Sequence, residues 1–228
     1  MFLIGCTFPS ISVKMEEELE ELNTLKKKLV GLIGILVLSI VLSACSNYKF
    51  KADTEYEIAD FTVTNHRGEE VSLESLKGKP WLAMFIFTNC VTVCSPMTYN
   101  MTEIQEELKE RGIEDYNIVG FSVDPSNDTP EVLSEYLSHY TIADESKWNY
   151  VTGYDQKWIE QFALNSFKTL VKMPTEGDQV IHGSSFYLVD EKGIAVKNYT
   201  GYSDSDDGVP FDTIAIDIET LIEERLSK

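Results

Sequence analysis

Two stretches of the chain are apolar without interruption, and their lengths set them apart. Residues 29–42, LVGLIGILVLSIVL, follow directly on Lys26-Lys27-Lys28, whereas residues 81–87, WLAMFIF, are half as long and lie deep in the chain. The shorter run suits a strand buried on both faces, because a strand covered on one face only would alternate. After it the spacing changes to that of a helix over residues 97–111, with Met97, Met101, Ile104 and Leu108 on one stripe and Gly112 ending it. These methionines read as core at helical spacing rather than as soft metal ligands. A second apolar strand over 117–123 stops at Asp124-Pro125, and Pro130 opens a helix reaching about His139. Residues 148–152 predict a third strand and 158–167 a helix. Residues 172–179 are a polar loop. Residues 185–190 and 194–199 then pair as a hairpin around Glu191-Lys192-Gly193, and 211–226 close the chain as an amphipathic helix. Upstream, residues 61–71 alternate and turn at Arg67-Gly68, a hairpin signature, and Ser72 to Leu76 form a short helical turn before Gly78. Strands alternating with helices, followed by a late antiparallel hairpin, predict an α/β sandwich around a mixed sheet.

The longer apolar run belongs to targeting. A basic n-region, a short apolar h-region and the small residues Ser43 and Ala44 make residues 1–44 a signal-peptide region. The run is shorter than the ~20 residues that span a bilayer comfortably. Leu42-Ser43-Ala44-Cys45 resembles the lipobox of bacterial lipoproteins, in which cleavage precedes the cysteine and its sulfur takes up a diacylglyceryl group. Cys45 is then the lipid anchor, residues 45–60 a tether, and residues 61–228 the folded domain, held on the extracytoplasmic face of the cell membrane. An ordinary secreted protein or an uncleaved anchor helix are the alternatives. The acidic stretch from Met15 to Glu21 does not belong in a signal peptide, so translation is expected to begin at or after Met15, leaving residues 1–14 and Cys6 outside the protein.

Composition narrows the function. At 228 residues, 43% hydrophobic and 25% charged, the chain falls in the globular range, with room for one domain and an appendage. Its 19 basic against 38 acidic residues give a net charge of −19. Residues 1–44 hold five acids and four bases, so the remainder keeps 33 against 15, or −18. That field repels polyphosphate, and nucleic acid is excluded as a partner. The cysteines, Cys6, Cys45, Cys90 and Cys94, are too few for a disulfide scaffold and poorly spaced for structural zinc.

Chemistry is therefore local to Cys90 and Cys94, four residues apart where a buried strand exits and a helix begins. On a helix that spacing puts both sulfurs on one face, close enough to bridge or to chelate. A helix N-terminus also favours thiolate over thiol. Two thiolates suit linear Cu(I), and one added imidazole makes a set that holds Cu(I) and tolerates Cu(II). Of the three histidines, His66 in a polar hairpin and His139 at a helix end are expected to face solvent, whereas His182 precedes an apolar strand beside the flexible Gly183.

The series Phe87-Thr-Asn-Cys90-Val-Thr-Val-Cys94-Ser-Pro-Met97, Phe121-Ser-Val-Asp124-Pro125 with Asp128-Thr129-Pro130-Glu131, residues 148–154, and His182-Gly-Ser-Ser-Phe-Tyr-Leu-Val-Asp190 resembles the Sco/SenC family of copper-binding thioredoxin-like proteins. The resemblance covers residues 61–226. It implies a thioredoxin-like fold with a mixed central sheet flanked by helices, an N-terminal hairpin and an inserted hairpin near the metal site. It further implies copper, Cu(I) or Cu(II), held by Cys90, Cys94 and His182, with Asp124 tuning a ligand from behind; the alternative for Asp124 is a turn or helix-capping acid. Many relatives carry proline directly after the second cysteine, where this chain has Ser95 and then Pro96. The implied role is a metallochaperone that delivers copper to, or prepares, the dinuclear copper centre of cytochrome c oxidase. Its partners are then the oxidase's copper-bearing subunit and a thiol–disulfide reductant that keeps the pair reduced. The competing reading is a membrane-tethered thiol–disulfide oxidoreductase in which Cys90 and Cys94 form the redox pair. Against it stand the C-x3-C spacing and a histidine where thioredoxins place a cis-proline. A thiol peroxidase finds no matching motif.

Overall fold

A computed structural model of the chain describes residues 26–28, 49–205 and 208–227. The chain divides into two compact units, Met1–Tyr48 and Lys49–Lys228. The apolar run at 29–42 and Cys45 lie outside the described residues, among which no helix is long and apolar enough to cross a membrane.

The second unit is built on an eight-stranded mixed sheet. Its strands are β1 (Tyr56–Glu57), β2 (Thr62–Asn65), β3 (Glu70–Ser72), β4 (Trp81–Ile86), β5 (Asn117–Ser122), β6 (Trp148–Thr152), β9 (Ser185–Val189) and β10 (Ile194–Thr200). They are ordered β1-β10-β9-β4-β5-β6-β2-β3. β4, β5 and β6 run parallel, and every other neighbouring pair is antiparallel. A separate ribbon pairs β7 (Val171–Lys172) with β8 (Ile181–His182) and stands where the inserted hairpin is expected. The helices are α1 (Leu73–Leu76), α2 (Cys94–Glu110), α3 (Pro130–Leu137), α4 (Gln156–Phe167) and α5 (Phe211–Leu226).

The central strand is buried along its whole length, as its unbroken apolar run requires. Alternation still sorts its side chains between the two faces. On one face Trp81 and Phe85 pack with Phe121 of β5, Phe167 of α4 and, for Phe85, Tyr187 of β9, with Phe162 of α4 joining through Phe121 and Phe167, in a set of edge-to-face, tilted and stacked rings. Each ring buried in this way contributes about 1.5–3 kcal/mol. On the other face Met84 accepts the Tyr150 hydroxyl, and that hydroxyl meets Thr98 of α2, which also meets Tyr136 of α3. Gly120 faces the same ring: a Cβ there would come within 2.5 Å of Tyr150, so only glycine fits. Ser72 caps α1 through a reciprocal capping box with Ser75, and Thr129 caps α3 ahead of Pro130.

The structure differs from the sequence reading at particular places. The helix expected from residue 97 begins at Cys94, because Pro96 falls in its first turn, where a missing N–H has no intrahelical partner to lose. The folded unit starts before Phe61: Tyr56 and Glu57 pair with Ala195 and Ile194, and Ile58 is buried. His66 is 3% exposed rather than solvent-facing. Its hairpin docks on β6, the Tyr150 amide lies 3.3 Å from its Nδ1, and burial together with Arg67 lowers its pKa.

Candidate metal centre

Strand order decides what meets at the end of the sheet. β4 and β5 are parallel and in register, with Ile86 opposite Ser122, so the chains leaving both strands emerge at one edge. From β4 emerges the loop with Cys90, which runs into α2 at Cys94; from β5 emerges the turn with Asp124 and Asp128. β9 lies antiparallel to β4, Ala83 opposite Tyr187, so the chain entering β9 arrives at that same edge and brings His182 with it.

The ligating atoms of Cys90, Cys94 and His182 all lie within 4.8 Å of one another, and no other group of three such residues forms among the described residues. Cys94 Sγ is 3.4 Å from His182 Nε2. His182 Nδ1 is 2.9 Å from the Gly183 carbonyl. A carbonyl can only accept, so Nδ1 carries the proton and Nε2 turns its lone pair to the sulfurs. The Phe87 ring meets the imidazole edge-to-face at 5.7 Å and limits its tilt. Gly183 lets the loop pass close to Thr169, whose Oγ1 would have to shift to admit a Cβ at 2.8 Å.

The two sulfurs differ in environment. Cys94 is fully buried at the first position of α2, whereas Cys90 is half-buried in the loop before it. A hydrogen bond from the Cys94 thiol holds Cys90 well below the ordinary thiol range. Cys94 is raised, because it donates to Cys90 and because it is buried. Near neutral pH the pair holds one thiolate, on the accessible sulfur, and one thiol.

Asp124 and Asp128 divide the work expected of Asp124. The Asp124 carboxylate accepts from Asn127 Nδ2 at 2.8 Å, and its carbonyl accepts the Asn127 and Asp128 amides, so it shapes the turn. No hydrogen bond joins it to Cys90, Cys94 or His182 among the described residues. Asp128, fully buried, is the acid nearer the site: it accepts from Thr88 Oγ1 at 2.6 Å, the Thr88 amide and Ser122 Oγ. It thereby fixes the start of the cysteine loop, and its charge helps raise Cys94. Burial raises its own pKa. Its position ahead of Thr129-Pro130 reads in sequence as a residue leading into a helix, which hides this role. His139 is exposed and away from the group, and Met97 and Met101 are core. Ser95 is exposed on α2.

Two sulfurs and an imidazole nitrogen, with no carboxylate among them, form a soft donor set fit for copper or zinc rather than calcium or magnesium.

Residues 50–215 match the SCO1/SenC family model. Among solved structures, a SCO1/SenC family lipoprotein from Bacillus anthracis is 41% identical, with 75% of this chain and 99% of that one covered and a TM-score of 0.69. BsSco, described as a member of the Sco family of cytochrome c oxidase assembly proteins with a disulfide switch, is 47% identical over 76% and 98% of the chains, with a TM-score of 0.68. ScoI of Bradyrhizobium japonicum, solved with copper bound, is 26% identical over 72% and 98%, with a TM-score of 0.58. The mixed sheet and its flanking helices are thus the thioredoxin-like fold of Sco structures. With the match running through both cysteines, the Asp124 turn and His182, the chain belongs to the SCO1/SenC family.

Proposed function

We propose that this protein binds one copper ion through Cys90, Cys94 and His182 and passes it to the copper-bearing subunit of cytochrome c oxidase. The observation that carries this reading is the convergence of three soft donor atoms within 4.8 Å at an accessible sheet edge. Copper bound there would exchange ligands with an incoming thiolate or imidazole. The protein's own part is to offer one ready thiolate at Cys90, a second sulfur at Cys94, and an imidazole already in the ligating tautomer on a two-residue strand. Asp124 supports the site at one remove, by shaping the turn that presents Asp128. Anaerobic titration of the reduced protein is expected to show one tight copper per chain, with thiolate-to-copper charge transfer in the Cu(II) form. Failure to bind copper tightly overturns the proposal.

His182→Ala is expected to weaken Cu(II) more than Cu(I), because two sulfurs alone satisfy the softer ion. Competition titrations in both oxidation states check this, and equal loss of both contradicts the division of labour.

The unequal thiols support a second activity at the same atoms. The Cys90 thiolate attacks a partner disulfide and forms a mixed disulfide while one partner thiolate leaves. Cys94, on losing its proton, attacks Cys90 Sγ and releases the second partner thiol. Two electrons and the Cys94 proton have then passed to the partner, whose other thiolate takes its proton from water, and a Cys90–Cys94 disulfide remains for a separate dithiol reductant to reset. Such a step reduces the recipient's cysteines before they receive metal.

Attachment to the extracytoplasmic face through lipidated Cys45 completes the reading, supported by Leu42-Ser43-Ala44-Cys45 and the basic residues ahead of the apolar run. Cys45→Ser is expected to move the protein from the membrane to the soluble fraction on cell fractionation. Retention in the membrane would point instead to an uncleaved helix.

A further inference from the structure

The polar stretch between β7 and β8, which metal binding leaves without a task, reaches back to the cysteine loop. Gln179 brackets Cys90: its Nε2 donates to the Asn89 carbonyl at 3.0 Å, and its Oε1 accepts from the Val91 amide at 3.2 Å. One side-chain amide thus pairs with the backbone groups on both sides of the cysteine, as a neighbouring strand would. Asp178 reinforces it, accepting from Gln179 Nε2 at 3.2 Å and from Asn89 Nδ2 at 3.1 Å. At its base the ribbon is held to α4 by Glu160, which accepts the Met173 amide at 3.0 Å and Lys172 Nζ at 3.1 Å. Between these anchors the ladder has only two pairs, Val171 with His182 and Lys172 with Ile181. His182 follows Gln179 by three residues, and the cysteine loop is fixed from behind by Asp128 on Thr88.

Resting on the copper reading above, we propose that Gln179 is a positioning residue: it clasps the Cys90 loop to the strand carrying His182, and opening of this clasp is the motion by which the imidazole leaves the two sulfurs. Two neutral hydrogen bonds of modest net worth bias such an opening equilibrium by about tenfold, enough to hold the site closed and little enough for a partner to release it.

The test uses the full-length protein with Gln179→Met, which keeps length without polar atoms, and Gln179→Glu, which keeps the acceptor for Val91 but loses the donor to Asn89. Two quantities are measured: amide hydrogen exchange at Val91 in the metal-free protein, and the rate at which Cu(I)-loaded protein yields its metal to excess bathocuproine disulfonate. Gln179→Met is expected to expose the Val91 amide and to speed release about tenfold, and Gln179→Glu, whose carboxylate faces the Asn89 carbonyl and Asp178, to speed it at least as much. Release rates unchanged in both variants, with the Val91 amide exposed in Gln179→Met, overturn the positioning role while leaving copper binding intact. A Val91 amide already unprotected in the wild type overturns the clasp itself. A wild-type protein that takes up no copper overturns the copper reading, and this role with it.

Discussion

Cys90→Ala or Cys94→Ala is expected to abolish tight copper binding while the protein still folds. Each substitution removes one of two sulfurs from a group of three donors, and His182 with a single thiolate makes a poor site for Cu(I). The expected loss exceeds about a hundredfold in affinity, because removing a hydrogen bond that merely supports a ligand already costs a metal site 10–100-fold. Folding survives for different reasons at the two positions. Cys90 is half-buried in a loop, whereas Cys94 is fully buried, and losing its sulfur leaves a small void costing about 1 kcal/mol. Copper competition against a chelator of known affinity, with circular dichroism of both variants, checks the result. Stoichiometric tight binding retained in either variant would remove the central argument for the site.

The second large effect is kinetic. Alkylation of Cys90 by iodoacetamide is expected to change little in rate between pH 5 and 8. An ordinary cysteine, titrating near about 8.5, loses reactive thiolate by several hundredfold over that interval. The sign follows from the direction of the shift. Cys90 is lowered by the Cys94 thiol, so its thiolate is present above the lowered value and is lost only as pH falls through it. Cys94 is raised and buried, so it stays unmodified under the same conditions. In Cys94→Ala the donor that holds Cys90 down is gone, and the profile should shift back towards that of a free cysteine, with the backbone amides at positions 92 and 94 keeping part of the effect. Mass spectrometry of the modified residue as a function of pH decides the matter. A Cys90 rate that follows an ordinary thiol through this range would show that the pair does not share its proton as described, and would weaken the oxidoreductase reading most.

Much of this was legible from local patterns. The run at 81–87, the stripe from Met97 to Leu108 and the proline at 130 each mark an element, because burial on a strand or helix repeats at that element's own period. The pairing of Cys90 with Cys94 needed no more than their spacing. Elements of two residues leave no period to read, so β1 and the β7–β8 ribbon emerge only from their partners in space. Burial of His66 is likewise set by the strand its hairpin lies against, and its polar neighbours in sequence point the other way.

The sequence by itself determined the class of fold, the two sulfurs and the kind of metal they suit, since all three depend on residues close together along the chain. Tertiary structure decided how closely His182, already singled out by its place before an apolar strand, approaches Cys94 across 88 residues, which acid stands behind the cysteine loop, and what ties that loop to the histidine strand. Those contacts depend on the order and direction of β4, β5 and β9. A parallel pair with an antiparallel neighbour brings three distant chain segments to one edge, and no local period records that ordering.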